Sequence, residues 1–299
     1  MRFQRASADD IQLVFDLITR SDIAEYGEPD SELSDLRDEW SKMDLSRDIW
    51  LVKGDGAMVL GYGAVVPEMD DVRFDVYVDP DQADTGTAAD LLSRCEKRVQ
   101  GLVDKTEVIG RTYLAHVNLQ SKELFTEAGF EYVKSYYQFH IDLHTNLDDP
   151  IWPESVSMRT AVPGDDDERI YQAVQTAFER SEDQAPTYKQ WRTHMIRPDI
   201  YDPELWFLVE VNGEIVGMSL GVKYETEGWI RQLGVIPTWR RKGIATALLR
   251  LSFLKFHERG SDRVGLGMEA KNEKALSLYR RVGMSVRRQY DEYCKVYTP

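Results

Sequence analysis

Trp229 to Thr246 reads WIRQLGVIPTWRRKGIAT, and the rest of the chain can be placed from this stretch. Ile230, Leu233, Val235 and Ile236 form a short apolar, β-branched run that predicts a strand, and Pro237, which has no N–H to give a ladder, closes it. Three cations, Arg240, Arg241 and Lys242, then stand directly before Gly243. Beyond Gly243 the period changes. Ile244, Leu248, Leu251 and Phe256 recur at helical spacing, with the small Ala245, Thr246 and Ala247 in the first turns. A cationic loop that delivers unpaired amides at the positive end of a helix suits an anion, and Gly243 lets the backbone come close.

Arg240, Gly243 and Ala245, spaced R-x-x-G-x-A, resemble the pyrophosphate loop of the GNAT superfamily of acyl-CoA-dependent N-acetyltransferases. A second stretch agrees in order and separation: Asn272 opens a helix that runs through Leu276, Leu278 and Tyr279 to Gly283. The resemblance implies an acetyl (acyl) group passing from acetyl-CoA to a primary amine, donor and acceptor bound together. Backbone amides of Gly243, Ile244, Ala245 and Thr246, with Arg240, Arg241 and Lys242, would hold the pyrophosphate. In the family a bulge in the preceding strand pairs with the pantetheine arm, which here implicates Leu233, Gly234 and Val235, with Gly234 as bulge residue or as a core glycine. Tyr279 would protonate the departing thiolate, or be a core tyrosine. Asn272 would cap its helix and touch CoA. Where family members carry a Glu early in the strand, this chain has Trp229, so Glu227 becomes the candidate general base; Glu225, Glu269 and a water relay are the alternatives.

The same order of elements occurs twice, which predicts two tandem α/β (α+β) domains, each a mixed, mostly antiparallel sheet flanked by helices. Gly86 precedes Gly243 by 157 residues, as Pro80 precedes Pro237, and Asn118 precedes Asn272 by 154. His144 to Pro153, polar and carrying two prolines, marks the expected boundary between 1–145 and 154–299. The halves differ where chemistry would occur: Ala83, Asp84 and Thr85 face the three cations, and Phe125 stands for Tyr279. An acidic group in that loop has the wrong sign for an anion, so the first half reads as degenerate and the second as the acyl-CoA-binding one. Tandem members of the superfamily such as mycothiol synthase have this architecture.

Composition sets the outer limits. The 299 residues are 42% hydrophobic, 11% aromatic and 30% charged, as in a globular protein, and no apolar run approaches a membrane span. The N-terminus MRFQRASADD lacks the apolar centre of a signal peptide, so the expected location is cytoplasmic. A net charge of −15 argues against nucleic acid. Cys95 and Cys294 lie far apart without metal-ligand spacing, so no metal is expected. The expected partner is a small-molecule or peptide amine, and the chain a monomer or homodimer. A CoA-binding regulatory module without turnover, or a thiol-precursor acetyltransferase like mycothiol synthase, are the competing readings.

Overall fold

The computed structural model describes residues 2–299 except 55–57, 69–70, 83–84, 104–105, 145–146, 182–184 and 226. The chain divides into two compact units, Met1–Tyr137 with Arg288–Pro299, and Gln138–Arg287. The expected boundary at His144 to Pro153 is not where packing divides the chain. The division falls inside a strand, and residues 288–299, expected with the second half, pack with the first. Hydrogen bonding explains the difference, as the strand ladders below show.

In unit 1 the elements are β1 (Arg2–Arg5), α1 (Ile11–Tyr26), α2 (Leu33–Trp40), α3 (Leu45–Asp48), β2 (Ile49–Lys53), β3 (Val59–Glu68), β4 (Asp71–Val78), α4 (Thr85–Gln100), β5 (Val108–Ala115), α5 (Leu119–Glu127) and the first part of β6 (Glu131–Asp142). β1 to β4 form an antiparallel run, β4 and β5 are parallel, and β5 pairs over its whole length with Tyr290–Tyr297 of the last strand. That eight-residue ladder is what draws the C-terminus into unit 1. Val14, Leu17, Trp40 and Tyr62 pack one face of the sheet; Phe74, Leu91, Cys95, Phe125 and Phe130 pack the other.

Unit 2 repeats the plan with β7 (Ser157–Thr160), α6 (Asp167–Phe178), α7 (Tyr188–Met195), β8 (Trp206–Val211), β9 (Glu214–Lys223), β10 (Glu227–Val235), α8 (Ile244–Glu258), β11 (Arg263–Glu269) and α9 (Glu273–Arg281); β12 (Ser285–Tyr297) follows. β7 to β10 are antiparallel, β10 and β11 parallel, and β11 neighbours β6, whose exit is tied by Leu143 N–H to the Asp262 carbonyl at 2.7 Å. The Asn212–Gly213 turn between β8 and β9 has φ of 50° and 82°, the left-handed pair that a tight hairpin demands. The corresponding Gly54–Asp55–Gly56 turn of unit 1 lies partly outside the described residues. β8 is apolar at consecutive positions because both its faces are covered. Trp206 and Leu208 meet α6 and α7, while Phe207 and Val209 meet α8. Each large side chain so buried stabilises the unit by about 1.5–3 kcal/mol.

The repeated order of elements and the mixed, mostly antiparallel sheets match the sequence reading. Of the contrasting trio Ala83, Asp84 and Thr85, the first two lie outside the described residues.

Candidate active site

β10 pairs with β9 from Gly228 to Val235 but with β11 only from Glu227 to Trp229. From Ile230 onward its second edge has no β11 partner, so backbone donors and acceptors there are presented to one side of the sheet. A register shift between Ile230 and Gln232 places a bulge at Arg231. This corrects the expectation at Gly234, which sits in regular register opposite Met218. Glycine is needed there for another reason: a Cβ would lie 2.8 Å from Met218 Sδ and 2.9 Å from Ala177 Cβ, so its absence lets the last turn of α6 press onto the sheet. Leu233 and Val235 belong to the cluster under α8.

The strand runs into a short 3-10 turn, Pro237–Trp239, and then the cationic loop. Arg241 and Gly243 both have left-handed φ, 65° and 87°. A Cβ on Gly243 would meet nothing within 4 Å, so the glycine is there for its conformation, not for clearance. Alternation of this kind turns successive N–H groups toward one concavity, and the first-turn amides Ile244, Ala245 and Thr246 lack intrahelical acceptors in any helix. α8 is seated by Ile244, Leu248 and Leu251, all buried. Arg241 and Lys242 are exposed, the Lys242 ammonium lying 5.1 Å from the centre of the Trp239 ring.

Arg240 is turned away from this concavity. Its guanidinium donates to the carbonyls of Val235 at 3.1 Å and Ala177 at 2.8 Å and pairs with Glu179 at 2.7 Å. It caps the C-terminal end of α6, where a cation is favoured, and binds that helix to the loop. Of the three loop cations, Arg240 is thus the one tied to α6, while Arg241 and Lys242 are exposed.

Asn272 caps α9 as expected, accepting from Ala275 N–H at 3.1 Å. Tyr279 turns inward. It is 7% exposed, its ring centre is 5.5 Å from that of Phe139, and burial pushes its phenol up to about 12. The hydroxyl is thus protonated throughout the working range of an enzyme and is a donor, not a base.

Glu227 has a partner that the sequence reading missed. His140 Nε2, from the unit 2 portion of β6, lies 2.8 Å from Glu227 Oε1, and the imidazole packs at a tilt on Trp229 with ring centres 5.8 Å apart. His140 is 2% exposed, and its Nδ1 meets no hydrogen-bond partner among the described residues. A Cβ at Gly265 would clash with both Trp229 and His140, so the three residues form one close-packed group at the start of β10. Glu225 is exposed, and Glu269 sits 3.4 Å from Lys271.

Residues 168–284 match the acetyltransferase (GNAT) family. Over 222 residues the chain is 25% identical to a mycothiol acetyltransferase of Amycolatopsis mediterranei, covering 71% of each chain. It is 28% identical over 232 residues to that of Paenarthrobacter aurescens, covering 74% of this chain and 69% of the other. A solved GCN5-related N-acetyltransferase from Sphaerobacter thermophilus superposes over 100% of this chain and 96% of its own with a TM-score of 0.87 at 29% identity. A tandem GNAT protein from the clavulanic acid biosynthesis pathway shares the fold, with a TM-score of 0.72 at 14% identity over 100% and 99% of the two chains. Residues 168–284 are thus a GNAT acetyltransferase domain, and these likenesses support an N-acetyltransferase enzyme. Within that class the chain has tandem architecture, two GNAT-like units in one polypeptide, the fold it shares with the tandem GNAT protein.

Among the described residues, no helix is long and apolar enough to cross a membrane, and no group of three or more His, Cys, Asp or Glu is placed to hold a metal ion.

Proposed function

We propose that unit 2 binds acetyl-CoA and passes its acetyl group directly to a primary amine, with both substrates held together. The observation that carries this reading is the parting of β10 from β11 after Trp229, continuous with a left-handed loop at the start of α8. The open edge at Leu233, Gly234 and Val235 offers N–H and C=O groups to the amides of a pantetheine arm. An N–H directed at the thioester oxygen stabilises the charge that develops there on attack. Arg241, Lys242 and the amides of Gly243 to Thr246 hold the pyrophosphate.

The amine nitrogen attacks the thioester carbonyl carbon, the C–S bond breaks, and the amine sheds one proton while the thiolate gains one. A thiol has an ordinary pKa of about 8.5, so its thiolate is a weak base that a hydrogen bond from the neutral Tyr279 phenol suffices to stabilise. Glu227, beside His140, receives the amine proton directly or through water. An amine of a thiol precursor is one acceptor to try first, given the relatives' name.

Calorimetric titration with acetyl-CoA tests the donor site. We expect one equivalent per chain and an affinity lowered by at least about tenfold in Arg241→Glu/Lys242→Glu, since each charge-assisted bond to phosphate contributes about 1.5–3 kcal/mol. Two equivalents, or an affinity indifferent to the double reversal, would sink the assignment. Release of free thiol on addition of an amine panel then reads out the acceptor.

A further inference from the structure

Glu227 and His140 stand on strands that are not neighbours. β6 borders β11 and β11 borders β10, so the imidazole has one strand to cross, a span of roughly 9–10 Å between backbones. Gly265 of β11 lets it pass. A Cβ there would lie 2.6 Å from His140 Cδ2 and 2.4 Å from the Trp229 ring, so a side chain at 265 would fill the space the imidazole occupies. The ring is confined between Trp229 and β11.

The crossing produces a short contact without a hydrogen bond. Nε2 lies 2.8 Å from Glu227 Oε1, yet Oε1 is a buried oxygen with no hydrogen-bond partner among the described residues. His140 Nδ1 is a buried nitrogen in the same condition. Buried polar atoms are nearly always satisfied, and two that are not, on one pair of side chains, call for an explanation. Access differs within the pair: the side chain of His140 is 2% exposed and that of Glu227 26%. Strand alternation puts further charged groups on this face. Arg263 is opposite Glu227 in the β10–β11 register, and Glu269 lies further along β11. Arg231 of β10 is bonded to His194 of α7, and Asp142 of β6 pairs with Arg287 at 2.8 Å.

A missing proton accounts for the empty contact. Two lone pairs at that distance repel, and one proton between them would bind both atoms. The acetyl transfer described above delivers one proton to Glu227 for each amine acetylated.

We propose that His140 is the proton acceptor behind Glu227. The resting imidazole carries its ring proton on Nδ1 and faces Oε1 with the Nε2 lone pair. The proton shed by the amine nitrogen passes to the Glu227 carboxylate and on to Nε2. The carboxylate is thereby regenerated, and the contact becomes a charge-assisted hydrogen bond between imidazolium and carboxylate. Once product has left, the proton returns to solvent through Glu227, the more exposed of the two. No other bond in the pair changes. This rests on the reading of Glu227 as the base and adds a second residue to it.

Nitrogen NMR of the full chain carrying isotope-labelled histidine tests it without an acceptor. The chain has five histidines, and the signal lost in His140→Gln is that of residue 140. We expect the Nδ1–H tautomer at neutral pH and protonation of Nε2 on acidification. In Glu227→Gln that protonation should move to lower pH by about one unit or more, because the anion beside the imidazolium is gone. A proton on Nε2 at rest, or a titration that Glu227→Gln leaves in place, would overturn the proposal. Thiol release with the amine panel gives a second readout. His140→Phe keeps a ring against Trp229 and should lower kcat by about tenfold or more with acetyl-CoA affinity unchanged; an unaltered kcat would also overturn it. Acetyl-CoA titration checks that each variant is folded, and His140→Gln stands in if the Phe variant is not. A slowed Glu227→Gln with an unmoved His140 signal removes the relay and leaves the base, whereas an unaltered kcat in Glu227→Gln removes both.

Discussion

Replacing Arg240 with Met separates a strut from a ligand-binding group. The substitution keeps most of the aliphatic stem and removes three interactions of the guanidinium, to the carbonyls of Val235 and Ala177 and to Glu179. The ion pair is exposed, with side chains 39% and 63% accessible, and adds at most about 1 kcal/mol. The two carbonyl bonds are part-buried, and a net value of about 1–1.5 kcal/mol each is reasonable for bonds screened on one side. The total is about 2–4 kcal/mol. A domain of this size loses about 2–4 °C of melting temperature per kcal/mol, so the unit 2 transition should fall by roughly 5–15 °C. Scanning calorimetry reads that shift, and acetyl-CoA titration below the transition reads affinity, which should fall less than in Arg241→Glu/Lys242→Glu. A melting temperature within about 2 °C of wild type together with a tenfold loss of affinity would refute the reasoning. Arg240 would then be a phosphate ligand after all.

Tyr279→Phe keeps the ring against Phe139 and removes the proton donor, so kcat should fall by about 10–10⁴-fold with acetyl-CoA affinity unchanged; an unaltered kcat with a lowered melting point would make Tyr279 a core residue only. Glu227→Gln should lower kcat by about 10²–10⁴-fold and leave donor affinity alone, and a pH–rate profile that keeps its acidic limb in this variant would assign the base elsewhere. The Arg159 guanidinium holds the Asp166 carboxyl at about 2, below its unfolded value of about 3.9. The stability from this pair is therefore complete above about pH 4 and is lost as pH falls toward 2. Asp166→Asn should flatten the acid limb of the unfolding curve in that window, and a curve parallel to wild type would show the pair to be inconsequential.

Much of unit 2 was legible because its signals are local. The Asn212–Gly213 hairpin, the Asn272 cap and the change of period at Gly243 each follow from a few adjacent residues, and the structure shows all three. What escaped the sequence was fixed at long range. Gly234 looked like a bulge because a strand glycine has two explanations, and only the position of Ala177, 57 residues earlier, separates them. Arg240 looked like its two neighbours because a run of cations carries no sign of which one meets the end of α6. His140 lay in the half assigned to the other domain, although FHI alternation within β6 places it opposite Phe139. The extent of unit 1 was hidden for a related reason: an eight-residue run that can pair is compatible with many edges, and only the assembled sheet selects β5.

Residues 288–299 also impose an order on the birth of the protein. A ribosome releases the first 137 residues of unit 1 early, but the strand that completes its sheet beside β5 comes from the last dozen. About 150 residues separate the two parts, which at roughly 5–20 residues per second is some 8–30 s of synthesis. During that interval the β5 edge is an unsatisfied row of amides and carbonyls, open to any strand that meets it. Unit 2, contiguous from Gln138 to Arg287, faces no such wait. The polypeptide therefore completes unit 2 before unit 1, and loss of residues 288–299 damages the unit whose other residues were made earliest.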